Sequence, residues 1–390
     1  MKEKLLNRVD EIKEELIRLS RRIHENPETA FEERQALAWQ VELLKKHGFE
    51  VEAPFCGLET AFRAVKKGAP GGPVVAFLSE YDALKGAGHA CGHNIIAAAS
   101  AGAGIALAGA LDGAAGEVQV IGTPGEEEGG GKVYIAERGG FDGVDFALMV
   151  HPSTKNLIGR GGLAAQTVKA VFYGRSAHSA LPEKGVNALT ALIAFFNGID
   201  TLRQTWPNTA KINGIITRGG SAPNVIPDVA EALFTVRASR KKELTAMYRD
   251  LERVAGGAAA FTGASFSLEG DPAYAERYPN SPMGEAFKKN MESLGEVMNY
   301  PDPEERVGSS DVGNVSLLLP TIHEYLAIAG EEVAGHSPEF REAAASPRGD
   351  AVVLLAAKGL ALTGWDLLSD KELRAAAREE YRQKAAPFRE

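Results

Sequence analysis

The segment His89-Ala-Cys91-Gly-His93 places a thiol and two imidazoles within five residues. Glycines in and before the segment let the backbone turn tightly enough for alternate side chains to converge. A thiolate and an imidazole two residues apart suit Zn²⁺ or a similar divalent ion. A loop with a buried cysteine and two hydrogen-bonded histidines accounts for the same residues, and this segment alone does not decide between the two interpretations.

A second segment, Pro124-Gly-Glu126-Glu127-Glu128, carries three adjacent carboxylates and is followed by three glycines. Carboxylates this close repel one another unless a cation or solvent compensates. A metal ion would let one glutamate act as a ligand while its neighbour accepts a proton from water. The alternative is a solvated acidic turn, which the preceding strand-like run and the glycines disfavour.

Two further histidines lie where a metal site could use them. His151 ends a predicted strand, and His336 lies in a loop before a predicted helix. Each histidine alone is more often structural than a ligand. The joint case is stronger, because three of the four segments follow strands of one predicted α/β unit, and open α/β sheets bind ligands at the carboxyl ends of their strands.

The elements that must position these residues fall into two patterns. Strand-like runs alternate with helical ones over the first 150 residues and again near the C-terminus, which predicts an α/β domain with a largely parallel mixed sheet flanked by helices. After Gly162 the order is β-α-β-β-α-β, a ferredoxin-like α+β arrangement. We expect a metal-binding catalytic domain over residues 1–163 and 276–390, with residues 164–275 inserted as a lid or dimerisation domain.

Two apolar patterns give specific expectations for helices. Leucines, valine and isoleucine recur at helical spacing from Leu5 to Leu19, which predicts one amphipathic helix that ends before Asn26-Pro27. The Ala- and Gly-rich run from Ile95 to Leu111 is shorter than a membrane span and predicts a buried helix.

Composition narrows the partners and the compartment. The net charge of −9 and the scattered basic residues argue against nucleic acid as a partner. The chain has two cysteines, Cys56 and Cys91, which is too few for a disulfide scaffold. The N-terminus is charged throughout and lacks the apolar core of a signal peptide. These features predict a cytoplasmic protein without a membrane segment.

At this point the residues resemble a known family, the M20 metallopeptidases and amidohydrolases. More narrowly, they are similar to the branch of aminobenzoyl-glutamate hydrolases, hippurate and auxin-conjugate hydrolases and PM20D2-like dipeptidases. The resemblance covers nearly the whole chain, including the stretches 21–33, 174–189, 224–239 and 308–316. Its motifs are Asp82, His89 to His93, Pro124 to Glu127, His151-Pro152 and His336 to Phe340.

The resemblance implies a role for each residue that matches a motif of the family. The five metal ligands would be Cys91, His93, Glu127, His151 and His336. They would hold two divalent ions, Zn²⁺ or Mn²⁺, with Co²⁺ and Ni²⁺ sharing the same ligand preferences. The other implied roles are general base for Glu126, orientation of a ligand for Asp82, stabilisation of the oxyanion for His178, and substrate binding for Asn224 and Arg237.

The chain departs from the family pattern at two positions. Asn94 replaces the aspartate that most of the branch has after the second histidine of the metal motif. Glu128 occupies a position where glycine is usual. If the register is shifted by one residue, Glu127 becomes the base and Glu128 the ligand, and the sequence leaves this choice open.

The predicted function is metal-dependent hydrolysis of an amide bond. The substrate would be an N-acyl amino acid, an aminobenzoyl-glutamate-like conjugate or a small dipeptide, and the lid would form a homodimer. One alternative is a non-catalytic, metal-dependent binding or regulatory protein on the same fold. A redox protein that uses Cys91 is disfavoured, because no resolving cysteine lies nearby.

Overall fold

A computed structural model of the chain describes residues 1–112, 114–305 and 307–389. The chain divides into two compact units. Unit 1 consists of Met1–Gly162 and the segment that begins at Arg277, and unit 2 is Leu163–Glu276.

The strands and helices are named in chain order. The strands are β1 (Glu50–Glu52), β2 (Phe62–Lys67), β3 (Ala69–Ser79), β4 (Ala115–Gly122), β5 (Phe146–Ser153), β6 (Ala164–Tyr173), β7 (Lys211–Arg218), β8 (Val229–Ala238), β9 (Ser265–Gly270) and β10 (Thr321–Ala327). The helices are α1 (Lys2–Glu11), α2 (Lys13–Glu25), α3 (Arg34–Lys46), α4 (His93–Ala108), α5 (Gly131–Glu137), α6 (Ala188–Leu202), α7 (Lys241–Thr262), α8 (Ser281–Ser293), α9 (Val312–Ser316), α10 (Pro338–Ala344), α11 (Pro347–Ser369) and α12 (Lys371–Lys384).

The sheet of unit 1 has the strand order β1-β2-β4-β3-β5-β10. β4, β3, β5 and β10 run parallel, and at one edge β2 pairs antiparallel with β4 and β1 pairs antiparallel with β2. The last residues of β3 and β4 are in register, with Ser79 opposite Gly122. The carboxyl ends of the four parallel strands therefore lie along one edge of the sheet, as the predicted fold class requires.

The core of unit 1 is built around α4. Every residue of this helix is buried, because it packs between the sheet and the helices α2 and α11. Close approach depends on small side chains: a Cβ added to Gly104 would lie 2.4 Å from Cγ2 of Val120 in β4. The prediction of a buried helix from the Ala- and Gly-rich run is confirmed.

One helix of the described residues, α11, is long and apolar enough to cross a membrane. In the structure, 67% of its most apolar window is buried inside the protein. Its packing is that of a core helix, with contacts to α4 and α8.

Unit 2 is a four-stranded antiparallel sheet with the order β7-β8-β6-β9. The helices α6 and α7 pack on this sheet around a core of their own. The element order β6-α6-β7-β8-α7-β9 is the predicted β-α-β-β-α-β arrangement.

The prediction of one N-terminal helix is wrong. The chain leaves helical geometry at Ile12, where ψ is 7°, and forms the separate helices α1 and α2. Apolar spacing continues through the break, since Val9, Ile12 and Leu16 are all buried, so the pattern gave no sign of it. The predicted end before Asn26-Pro27 is confirmed, because α2 ends at Glu25.

Candidate metal centre

The predicted ligands come from four segments that follow the carboxyl ends of the parallel strands. Cys91 lies between β3 and α4, His93 is the first residue of α4, and Glu127 lies between β4 and α5. His151 is near the end of β5, and His336 follows β10. The sheet therefore brings to one edge residues that are up to 245 positions apart (336 − 91) in the sequence.

The five side chains form two groups that share the thiol of Cys91. Cys91, His93 and His151 each offer one ligand atom within 4.8 Å of the others, and the Cys91 sulfur lies 3.4 Å from Nε2 of His151. Cys91, Glu127 and His336 form the second such group, with Nε2 of His336 3.9 Å from Oε1 of Glu127. Both groups have the donor types that would hold a divalent cation, and the Cys91 sulfur belongs to each of them.

The backbone around the motif explains why it is glycine-rich. Gly92 has φ +79°, and a Cβ on it would lie 2.5 Å from Cγ of Pro152. Glycine at this position lets the Cys91–His93 turn approach the end of β5. His336 also has a positive φ, +65°, and its amide donates a hydrogen bond to the carbonyl of Ala90 at 3.0 Å.

Asp82 contacts two of the predicted ligands from a fully buried position. Its Oδ1 lies 2.9 Å from Nδ1 of His93, and its Oδ2 accepts a hydrogen bond from the Glu127 amide at 2.8 Å. Burial alone would raise the pKa of Asp82, but the His93 imidazole beside it lowers that pKa to about 2. The ionised carboxylate favours an N–H on Nδ1 of His93, which would leave Nε2 available to a metal ion that displaces any proton there.

His151 is held in the corresponding tautomer by its own backbone. Its Nδ1 donates to the carbonyl of Pro152 at 2.6 Å, which leaves Nε2 with a free lone pair beside Cys91. Burial, and then the neighbouring His93, lower the pKa of His151 to about 4. The ring is therefore neutral at pH 7, as a metal ligand must be.

The cluster has the properties of a cation site. Nε2 of His93 and Oε1 of Glu127 are buried without a hydrogen-bond partner among the described residues, and they lie 3.8 Å apart. Burial, and then the Glu127 carboxylate, raise the pKa of the Cys91 thiol. A divalent cation would satisfy both orphaned atoms and convert the thiol to a thiolate ligand, so the donor set fits the ions expected from the sequence.

The three consecutive glutamates take different positions. Glu127 belongs to the ligand group of Cys91 and His336, while Glu126 lies beside it, 4.0 Å from Nε2 of His93. Glu128 is exposed and belongs to none of the ligand groups found among the described residues. This arrangement favours Glu126 and Glu127, rather than Glu127 and Glu128, as the base and ligand.

The other departure from the family pattern, Asn94, has a structural explanation. Its side chain is buried, and its amide nitrogen donates to Oγ of Ser20 at 2.8 Å and to the carbonyl of Ala344 at 3.1 Å. Asn94 therefore ties the start of α4 to α2 and α10.

A buried ionic network beside the cluster was not predicted from the sequence. The Nζ of Lys132 lies 2.6 Å from Glu80 and 2.8 Å from Asp311, and all three side chains are fully buried. Glu80 also lies 3.5 Å from Nε2 of His93. The only sequence signal was the alternation of Glu80 with Asp82, since alternate residues of an extended segment point the same way.

The remaining predicted site residues belong to unit 2. His178 and Asn224 are neighbours there, because His178 bridges Val225 and the Ser179 amide donates to the carbonyl of Asn224 at 3.0 Å. Both residues are exposed. Nδ1 of His178 accepts a hydrogen bond from the Ala180 amide at 3.1 Å, so the proton of the neutral ring is on Nε2. Arg237 is half-buried in β8, opposite Ala165 and Lys211.

Comparisons with known proteins agree with this architecture. Residues 158–260 match the family model described as a peptidase dimerisation domain. The chain is 36% identical to the Xaa-Arg dipeptidase of Mus musculus, over 98% of this chain and 93% of that protein. It is 32% identical to a p-aminobenzoyl-glutamate hydrolase subunit of Escherichia coli, over 70% of this chain and 61% of that protein.

A solved structure shows the same fold. The crystal structure of the Bacillus subtilis YXEP protein, described as a dinuclear metal binding peptidase from the M20 family, superimposes with a TM-score of 0.65. The two chains are 24% identical, and the match covers 90% of this chain and 98% of that one.

Proposed function

We propose, because this chain belongs to the M20 family of metallopeptidases and amidohydrolases, that its ligand cluster binds two divalent metal ions for the hydrolysis of an amide bond. The relatives include a dipeptidase, an aminobenzoyl-glutamate hydrolase and an N-acetyl-L-cysteine deacetylase. Metal-dependent amide hydrolysis is the chemistry that fits all three names. The observation that carries the proposal is the convergence of a thiol, three imidazoles and a carboxylate around buried, unpartnered ligand atoms.

In this proposal Cys91, His93, Glu127, His151 and His336 hold the ions, which are Zn²⁺ or Mn²⁺. Bound there, such ions lower the pKa of water and polarise the scissile carbonyl. Glu126 accepts the proton of the attacking water and donates it to the departing nitrogen. Its position beside the ligands, with a carboxylate oxygen 4.0 Å from Nε2 of His93, supports this role.

His178 is proposed as the donor to the negative oxygen of the tetrahedral intermediate. Its tautomer supports this assignment, because the Ala180 amide occupies Nδ1 and leaves an N–H on Nε2 of an exposed ring. Asn224 and Arg237 are proposed to bind the substrate. A guanidinium pairs well with a carboxylate, which dipeptides and N-acyl amino acids both carry.

Dipeptides are the first substrate class to test. The dipeptidase relative matches almost the full length of both chains, whereas the aminobenzoyl-glutamate hydrolase matches 61% of its own length. A suitable panel therefore contains dipeptides with C-terminal arginine, β-alanyl dipeptides, N-acyl amino acids and aminobenzoyl-glutamate.

The substitution Glu126→Gln tests the function most sharply. It removes the proton acceptor and keeps the shape of the side chain, so we expect both metals to stay bound and turnover to fall by roughly 10²- to 10⁴-fold. Mass spectrometry of bound metal and hydrolysis across the substrate panel measure the two effects. Glu128→Gln is the matched control, because its exposed neighbouring carboxylate should be dispensable.

Two results would count against this assignment. If Glu126→Gln were fully active and Glu127→Gln inactive, another glutamate would be the general base. Two bound metals in the unsubstituted protein without hydrolysis of any panel member would favour a metal-dependent binding protein.

We also propose a homodimer formed through unit 2, which contains most of the region that matches the dimerisation domain. β7 is an edge strand, paired only with β8 within the sheet. It exposes Ile215 and Ile216 at 64% and 46%, and an exposed apolar edge is a template for pairing with another chain. A solution mass equal to one chain by light scattering would contradict this proposal.

The cytoplasmic location stays a prediction from the sequence.

A further inference from the structure

Lys132 is a fully buried lysine whose ammonium lies between two fully buried carboxylates. Its Nζ is 2.6 Å from Oε1 of Glu80 and 2.8 Å from Oδ1 of Asp311. Its own backbone amide donates to the other oxygen of Asp311 at 2.9 Å. A buried ion pair needs nearly complete compensation to be tolerated, and these contacts supply it for Lys132 and Asp311.

The third carboxylate at this place is the proposed base. Glu80, Glu126 and Asp311 each offer an oxygen within 4.8 Å of the others. Glu126 therefore lies close both to the proposed ligand His93, at 4.0 Å, and to the two carboxylates that contact Lys132. Three carboxylates at this spacing would hold a cation, and the ammonium of Lys132 already lies against two of them.

The three carboxylates differ in their freedom to move. The side chains of Glu80 and Asp311 are 0% exposed, whereas that of Glu126 is 11% exposed. Without the ammonium, repulsion among the three would displace the one with room to leave, which is Glu126.

We propose that Lys132 is a positioning residue for the reaction: its ammonium serves as an internal cation that keeps the Glu126 carboxylate directed at the ligand cluster. This inference rests on the proposed role of Glu126 as the base. The proposed role of Lys132 differs from a purely structural one, because a structural ion pair would affect stability without specifically moving Glu126.

The test is the isosteric substitution Lys132→Met, alone and combined with Asp311→Asn. Lys132→Met should keep two metals per chain and lower kcat by about 10²-fold with a smaller change in KM, because small displacements of a catalytic group have effects of this size. The double variant Lys132→Met/Asp311→Asn also removes one of the carboxylates that repel Glu126. Its kcat should be at least about tenfold higher than that of Lys132→Met, since Glu126 can then return to its position. Asp311 is the partner of choice, because Glu80 lies against the ligand His93.

A matched control is Lys358→Met, which removes another lysine ion pair of unit 1, with Asp10 at 2.7 Å, and should leave kcat unchanged. Crystal structures of Lys132→Met and the double variant show the Glu126 rotamer directly. This readout separates the inference from the proposed function: an inactive unsubstituted protein with two metals would refute the function, and the rotamers would still test Lys132.

An unchanged Glu126 rotamer in Lys132→Met, or a kcat within fivefold of the unsubstituted protein at full metal content, would overturn the inference. Failure of the double variant to recover activity while it remains folded would do so as well. Should Lys132→Met not fold, the double variant, which lacks the buried charges of Lys132 and Asp311 and keeps that of Glu80, carries the same comparison against Asp311→Asn alone.

Discussion

At the scale of single residues, Asp82 shows how one buried group can set the geometry of a metal site. Its two oxygens accept from different donors, Nδ1 of His93 and the amide of Glu127. The two ligands come from segments that follow different strands, β3 and β4. We therefore propose that this one carboxylate fixes the orientation of the two proposed ligands relative to each other.

The substitution Asp82→Asn tests this role. An amide has one oxygen, so it can accept from only one of the two donors and must present N–H to the other. We expect metal affinity to fall by roughly 10- to 100-fold, measured by competition with a chromophoric chelator. Asp10→Asn, at an aspartate whose side chain is 53% exposed, is the control. An affinity within twofold of the unsubstituted protein would mean that Asp82 does not orient the ligands.

The candidate ligands could be predicted from the sequence, and the ionic network could not. Cys91 and His93 lie two residues apart in one short motif, so a pair of side chains that can bind a metal is recognisable within a single segment. Glu80, Lys132 and Asp311 come from three distant segments. A lysine at the start of a helix usually lies in solvent, so only the fold reveals that Lys132 is buried between carboxylates.

At the scale of elements, the helix α4 links the metal motif to the core. His93 is its first residue and is followed by an Ala- and Gly-rich face. The absence of a side chain at Gly104 lets the helix lie close against Val120 of β4. The position of the ligand His93 therefore depends on close packing along the helix.

We predict that Gly104→Ala destabilises the protein although alanine is the better helix former. The added Cβ would lie 2.4 Å from a buried valine methyl, and overpacking of about 1–3 kcal/mol outweighs a helix-propensity gain of about 1 kcal/mol. The net loss in the free energy of unfolding, measured by chemical denaturation, should be up to about 2 kcal/mol.

Gly109→Ala is the matched control at the end of the same helix. There the added Cβ meets its nearest neighbour, the carbonyl oxygen of Ala106, at 3.4 Å, an ordinary contact. This variant should be neutral or slightly more stable. Equal stability of the two variants would show that α4 has room to move away from the sheet.

The elements themselves were largely predictable, and the exception is informative. The buried helix α4 and the β-α-β-β-α-β order of unit 2 follow directly from the apolar patterns of the sequence. The break between α1 and α2 was missed because helical spacing of apolar residues continues through Ile12. Periodicity reports which face is buried, and it does not report a single residue with non-helical dihedral angles.

At the scale of the whole molecule, the site exists because parallel strands gather distant residues. The chain leaves unit 1 between His151 and His336, forms unit 2, and returns to complete the same sheet with β10. No local pattern in the sequence specifies that His336 reaches Cys91 and Glu127. The family resemblance implied that convergence, and the register of β5 with β10 accounts for it physically.

Anomalous X-ray diffraction from crystals of the purified protein, measured at the absorption edge of its bound metal, tests the proposed two-metal site most directly. We predict two anomalous peaks per chain, both in contact with the sulfur of Cys91, one also near His93 and His151 and the other near Glu127 and His336. A single peak elsewhere, or no peak among these five side chains in a metal-loaded crystal, would contradict the proposed site.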